Sequence, residues 1–173
     1  MLLHDKQFGL FIPEDQIHTK VFEAGKIITE KFHEKNPVFI IVLNGAWIFG
    51  ADLIRQFPHI CEIRFVKIAS YSGMQSQNIQ QFSGFSFPVA GRHVIIIEDI
   101  VDSGKTLQYL YDQLKPLQPA SVFTVALFQK KIFRNNNVQA DLAGFEIPDV
   151  FIVGYGLDYN ELGRNLKDVW RVM

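Results

Sequence analysis

The sequence predicts an α/β fold: a mostly parallel central sheet with helices on both faces and a small hood lobe, formed by residues 1–173 as a single domain. Three observations predict it. Aliphatic runs of strand length at residues 38–43 and 94–97 lack polar alternation, which marks strands buried on both faces. Stretches with apolar residues at helical spacing flank and separate them. Such alternation favours crossover connections, hence parallel pairing with helices packed above and below.

Taken in order, Ile17, Val21, Ala24 and Ile28 form a helical stripe after Pro13, whose missing N–H costs nothing at a helix start. The strand at 38–43 is bounded by the turn signals Asn36-Pro37 and Asn44-Gly45. Residues 46–57 are apolar nearly all round, as expected of a helix wedged between the sheet and another surface. Residues 61–69 read as a strand with Ile63, Phe65 and Lys67 on one face. From 70 to 84 the chain is polar, glycine-punctuated and without helical period, which predicts a long loop acting as a lid. The run at 94–97 leads to a helix, because Leu107, Leu110, Tyr111 and Leu114 recur at helical spacing. Residues 121–127 supply a further strand and 150–153 the last strong one. The hood is assigned to the N-terminal residues together with 141–148.

Composition excludes several classes. Hydrophobic residues at 48% and charged ones at 20% fit a soluble globular chain with a sizeable core. The 16 phenylalanines are a heavy load, so some rings are expected in an oligomer interface. A net charge of −1 without a basic stripe offers no footprint for a nucleic-acid backbone, and no nucleic-acid partner is expected. No apolar run reaches bilayer length, and the first residues lack the charged lead and apolar core of a secretory signal. A cytoplasmic protein without membrane contact is therefore expected. The single Cys61 excludes an intramolecular disulfide framework and is expected to be an inert core thiol. His4, His18, His33, His59 and His93 have no metal-ligand spacing.

Chemistry concentrates where the aliphatic run 94–97 meets Glu98-Asp99-Ile100-Val101-Asp102-Ser103-Gly104-Lys105-Thr106. A small-residue loop that opens a helix after a parallel strand presents backbone N–H groups and the positive end of the helix dipole, a seat for phosphate. Three carboxylates beside such a seat call for sugar hydroxyls or a cation between them and the anion. A ribose phosphate with a bound metal ion meets that requirement. Gly104-Lys105-Thr106 imitates the end of a nucleotide-triphosphate loop, but that pattern needs glycine where Asp99 stands.

The order acid, acid, two aliphatics, Asp, small hydroxyl, Gly, Lys, Thr resembles the phosphoribosyl-pyrophosphate signature of the purine phosphoribosyltransferases. A second stretch, residues 144–159, resembles the same group, and within it the chain is most similar to hypoxanthine (or hypoxanthine-guanine) phosphoribosyltransferases. The resemblance implies the type I phosphoribosyltransferase fold and transfer of a 5-phosphoribosyl group from its pyrophosphate donor to a purine base. It implies Mg²⁺ as cofactor, purine salvage in the cytoplasm, and a homodimer or homotetramer.

Roles carried over by resemblance fall on named positions. Asp102 matches the general base that exchanges a proton with the purine ring. Glu98 and Asp99 would take the ribose hydroxyls, directly or through the metal. Backbone amides of Asp102, Ser103, Gly104, Lys105 and Thr106, with the two hydroxyls, would hold the 5′-phosphate. Lys130 matches the donor to the six-position oxygen, with Lys131 one residue out of register. Phe151 would stack on the purine while backbone groups of Val150 and Ile152 read its edge. Asp158 matches a second metal carboxylate beside Glu98 and Asp99, and Arg164 the arginine that grips pyrophosphate; oxygen-only ligands favour Mg²⁺ over zinc. Ser70 and Tyr71 match the start of a mobile lid. Asn44 and Gly45 occupy the pyrophosphate loop, which in the family has an unusual cis peptide and commonly a basic residue where Asn44 stands. That departure motivates an alternative, a non-catalytic nucleotide-sensing module. A xanthine- or guanine-preferring enzyme is the alternative within the family.

Overall fold

The computed structural model describes residues 1–70, 79–82, 85–131 and 138–173, which carry two sheets. In chain order, β1 (Leu2–Leu3) and β2 (Lys6–Ile12) lead into α1 (Glu14–Phe32), β3 (Val38–Leu43), α2 (Trp47–Ile54) and β4 (Glu62–Ser70). Then come β5 (Ile79–Phe82), β6 (His93–Val101), α3 (Lys105–Leu114), β7 (Ser121–Lys130), β8 (Leu142–Ile147), β9 (Ile152–Val153) and β10 (Val169–Val172). The central sheet has the order β5-β4-β3-β6-β7-β8. Its strands from β4 to β8 pair in parallel, and β5 adds an antiparallel edge.

Alternation along the aliphatic strands divides the core into two layers. Phe39, Ile41, Ile95, Ile97, Val125 and Leu127 pack with α1 and α2, whereas Val38, Ile40, Val94, Ile96 and Ala126 pack with Leu107, Leu110 and Leu114 of α3. Helices therefore cover both faces, as the patternless aliphatic runs require. Ile95, Ile96 and Ile97 are each fully buried, and each such side chain contributes about 2 kcal/mol. The strand that carries the acidic turn is thus anchored from both sides.

Helix α1 starts directly after Pro13 and buries all four stripe residues. Its Glu14 N–H donates to the Asp168 carboxylate at 2.9 Å, so a residue from the far end of the chain caps one of the N–H groups that lack an intrahelical partner. Gly25 permits close passage of α1 over α2's end, since a Cβ there would overlap the Gln56 side chain.

Several expectations are corrected. Residues 141–148 do not build the hood: β8 extends the central sheet in parallel beside β7. Gly144 makes this possible, because a Cβ there would stand 2.9 Å from the Leu127 carbonyl oxygen. The hood is instead an antiparallel sheet of order β1-β2-β10-β9, and the strand expected at 150–153 shrinks to β9 within it. Of the long loop expected at 70–84, the described residues are Ser70, the end of β4, and Ile79–Phe82, β5, which pair antiparallel through Ser70 and Ile79, while 71–78 and 83–84 lie outside the described residues. Polar side chains do not prevent a ladder made by backbone groups. Helix α2 is shorter than 46–57. On β4 the expected face is present but turned to solvent, with Ile63 42% and Phe65 60% exposed while Val66 is buried. Cys61 is half-buried at the margin of the core, where burial pushes its thiol pKa up. Among the described residues, no helix is long and apolar enough to cross a membrane.

Candidate active site

Three strand ends of the central sheet meet the hood around a cavity of ≈ 790 Å³. β3 ends at Leu43, whose peptide bond to Asn44 is cis. Asn44 and Gly45 then turn the chain into α2, and both line the cavity. Gly45 is pressed on the acidic end of β6 so closely that a Cβ would overlap the Asp99 carboxylate. Gly156, at φ +101°, is pressed in turn on the Gly45 carbonyl oxygen. The backbone can occupy this position only because glycine tolerates it.

From β6 the cavity receives Glu98 and Asp99. Glu98 is buried, its Oε2 has no hydrogen-bond partner, and burial together with the neighbouring Asp99 charge holds its carboxyl well above the ordinary value. The Asp99 carboxyl is pushed up to about 6, chiefly by burial and further by Asp158, against the opposing effects of the Ile100 N–H donor at 2.8 Å and of Arg164. An acid with one orphaned oxygen, Glu98, beside a second whose charge is only partly offset, Asp99, favours whatever brings positive charge or donors to this wall.

After β6 the chain passes through Asp102 and Ser103 to Gly104, which adopts φ +73° and opens α3. A Cβ on Gly104 would also crowd the Val138 carbonyl oxygen at 2.5 Å. The N–H groups of Lys105 and Thr106 begin a helix and have no intrahelical acceptor, and Thr106 lines the cavity.

The hood side contributes Phe151, Asp158 and Arg164. Arg164 ion-pairs with Asp158 at 2.7 Å and donates to the Gly156 carbonyl at 2.9 Å. Phe151 is 42% exposed, with its ring against Phe8 and, edge-on, Tyr159. The flanking Ile152 is buried and Val150 half-buried. Tyr159 is tied to the N-terminal segment by donating to Asp5 at 2.6 Å.

A second cluster is not part of the cavity lining. Lys130, at the end of β7 and only 11% exposed at its side chain, lies 3.3 Å from Asp102 and 2.9 Å from Asp149. Burial opposes its charge, but the two carboxylates outweigh that and hold its ammonium above the ordinary lysine value. Lys131 points elsewhere and pairs with Glu146 at 3.4 Å. Of the two adjacent lysines, Lys130, the one assigned by resemblance, is therefore the one beside Asp102. Ser70 is the last residue of β4, and Tyr71 lies outside the described residues.

Sequence reasoning missed Lys67, which lines the cavity across the β3–β4 pair from Leu43, and Asp149 beside Lys130. The alternation of β4 placed Lys67 on a face but not at a strand end. Asp149 is 19 positions from Lys130 and joins it only through the parallel alignment of β7 with β8.

The sequence matches the family model described as phosphoribosyl transferase domain over residues 14–160. Hypoxanthine-guanine phosphoribosyltransferase of Bacillus subtilis is 40% identical over 168 residues, covering 96% of this chain and 93% of that protein. A bifunctional protein TilS/HprT of Listeria monocytogenes is 38% identical over 166 residues, and there the chain spans only 26% of the relative's length. Among solved structures, a hypoxanthine-guanine phosphoribosyltransferase of Bacillus anthracis has 34% identity and a TM-score of 0.85, over 97% of this chain and 98% of that one. With the acidic strand end, the glycine-opened helix and this likeness along nearly its whole length, the chain belongs to the phosphoribosyl transferase family.

Proposed function

We propose that the chain is a purine-salvage enzyme that transfers 5-phosphoribosyl from phosphoribosyl pyrophosphate to hypoxanthine, and to guanine as a second base, releasing pyrophosphate. The observation that carries this reading is one cavity combining Glu98, Asp99, Asp158, Arg164, Thr106 and Phe151. The Asp102–Lys130 pair adjoins it through the loop between β6 and α3.

In this reading the amides and hydroxyls from Ser103 to Thr106 hold the 5′-phosphate, at the positive end of α3. Glu98 and Asp99 receive the ribose hydroxyls. Phe151 offers its exposed ring for stacking, and the backbone of Val150 and Ile152 reads the base edge. Purine N9 attacks the anomeric carbon as pyrophosphate leaves with the bonding electrons, while Asp102 accepts the proton from N7. Lys130 donates to the six-position oxygen, where negative charge gathers. Arg164, Gly45 and Asn44 receive pyrophosphate, and Ser70-Tyr71 begin the lid that excludes water.

Magnesium fits this site by the chemistry of its donors. Glu98, Asp99 and Asp158 offer only oxygen, and the buried Glu98 oxygen lacks a partner. The described residues contain no tight cluster of three His, Cys, Asp or Glu ligands. That suits a cation held by one or two carboxylates together with substrate oxygens. When bound it neutralises the donor's phosphates and steadies the departing pyrophosphate. The exposed Ile63 and Phe65 on one face of β4 support a homodimer or homotetramer.

Incubating the protein with donor, Mg²⁺ and each purine separately tests the reading by nucleotide formation. Product with hypoxanthine is expected. Product only with xanthine or guanine would shift the base assignment. Donor binding without product would favour a sensing module, the reading that uncharged Asn44 supports.

A further inference from the structure

Lys130 is surrounded by more negative charge than reading a base requires. Its ammonium bridges Asp102 at 3.3 Å and Asp149 at 2.9 Å, with the lysine side chain 11% exposed and the two carboxylates 56% and 65% exposed. The two acids come from different places: Asp102 from the loop before α3, and Asp149 from the turn after β8, where Val150 N–H donates to the Pro148 carbonyl at 2.8 Å. Lysine has three donors in all. One directed at Asp149 and one at Asp102 leave a third for a substrate oxygen.

The two acids cannot serve Lys130 equally through the reaction. An oxopurine carries its six-position oxygen and N7 on one edge, so an adjacent lysine and carboxylate read both atoms together. When N9 bonds to the anomeric carbon and N7–H passes its proton to Asp102, that carboxylate becomes neutral, and Lys130 loses one of its two counter-charges. Asp149 takes no part in proton transfer and keeps its charge. It holds the ammonium in place just when electron density on the six-position oxygen is greatest.

Resting on the phosphoribosyl-transfer reading above, we propose that Asp149 is a positioning residue that fixes Lys130 for recognition of a six-oxo purine and so sets base selectivity. It touches the lysine, not the base. Its effect is therefore confined to ligands that carry the six-position oxygen. Because Asp149 is well exposed, its pairing is screened, and the effect is about fivefold rather than several hundredfold.

The test compares inosine 5′-monophosphate with purine riboside 5′-monophosphate, which lacks the six-position oxygen and with it the N1 proton, by calorimetry on the intact protein and on Asp149→Asn and Asp149→Glu. Because the N1 difference is the same for all three proteins, the change of preference on substitution reports the oxygen contact. The expected result is that wild type prefers inosine monophosphate. Asp149→Asn loses about fivefold affinity for it while binding the deoxo analogue unchanged, and Asp149→Glu restores the preference. In turnover, Asp149→Asn raises KM for hypoxanthine and leaves KM for the donor unaltered. Equal weakening of both nucleotides, or no change in either, overturns the positioning role. If wild type binds neither nucleotide, the phosphoribosyl-transfer reading itself fails, which is a distinct outcome from wild-type selectivity that survives Asp149→Asn.

Discussion

Asp99→Asn should make the folded protein more stable while removing a carboxylate proposed to meet the ribose hydroxyls or the metal. The Asp99 carboxyl is raised from 3.8 to about 6, chiefly because it is taken out of water. A carboxyl whose pKa is raised by folding binds protons more readily in the native than in the unfolded chain. Its contribution therefore turns unfavourable as pH climbs past the unfolded value and reaches its full cost above the folded one. At about 1.4 kcal/mol per pH unit, that cost is about 3 kcal/mol near pH 8. Asparagine is uncharged at every pH and keeps an oxygen for the Ile100 N–H, so the cost disappears without orphaning the amide. Urea unfolding in metal-free buffer, at fixed protein concentration, should find the variant about 3 kcal/mol more stable near pH 8, with the gap closing below about pH 4. Equal or lower stability near pH 8, or a gap that widens in acid, would refute the assignment of buried charge to this strand end.

Other substitutions probe the remaining parts of the site. Asp102→Asn should lower kcat by about a hundredfold or more with little change in KM for the donor, measured by steady-state kinetics; equal loss in both would remove Asp102 from proton transfer. Gly45→Ala should cost about 1–3 kcal/mol in thermal unfolding and depress activity, because the added methyl overlaps the Asp99 carboxylate. Asn44→Lys should tighten pyrophosphate inhibition about fivefold at low salt, with the gain fading as ionic strength rises.

Legibility in the sequence followed the range over which each feature is decided. The helix stripe Ile17, Val21, Ala24, Ile28 and the run 38–43 are local patterns, and both elements formed where the period placed them. The acidic turn after β6 was equally local, since Glu98, Asp99 and the glycine-opened helix are contiguous. The hood was half read: the N-terminal residues supply β1 and β2 as expected, but β9 and β10 were missed in place of 141–148, because β9 has only two residues, too few to give a period. β8 was placed in the hood because Leu142–Ile147 includes Ala143, Gly144 and Glu146, a weak strand pattern. Its seat beside β7 depends on a close backbone approach that composition does not express. Lys130 was preferred over Lys131 only by resemblance along the preceding strand, because two adjacent lysines carry no pattern of their own, and it is the end of β7 that decides which one faces Asp102.

β10 lies between β2 and β9, and the Val172 N–H donates to the Phe151 carbonyl at 3.0 Å. The four residues of β10 are thus a brace behind the ring proposed to receive the nucleobase. Trimming those residues, even with every acid and lysine of the pocket intact, would leave that aromatic platform without its backing. Loss of β10 would then act on ligand grip before it acted on bond-making.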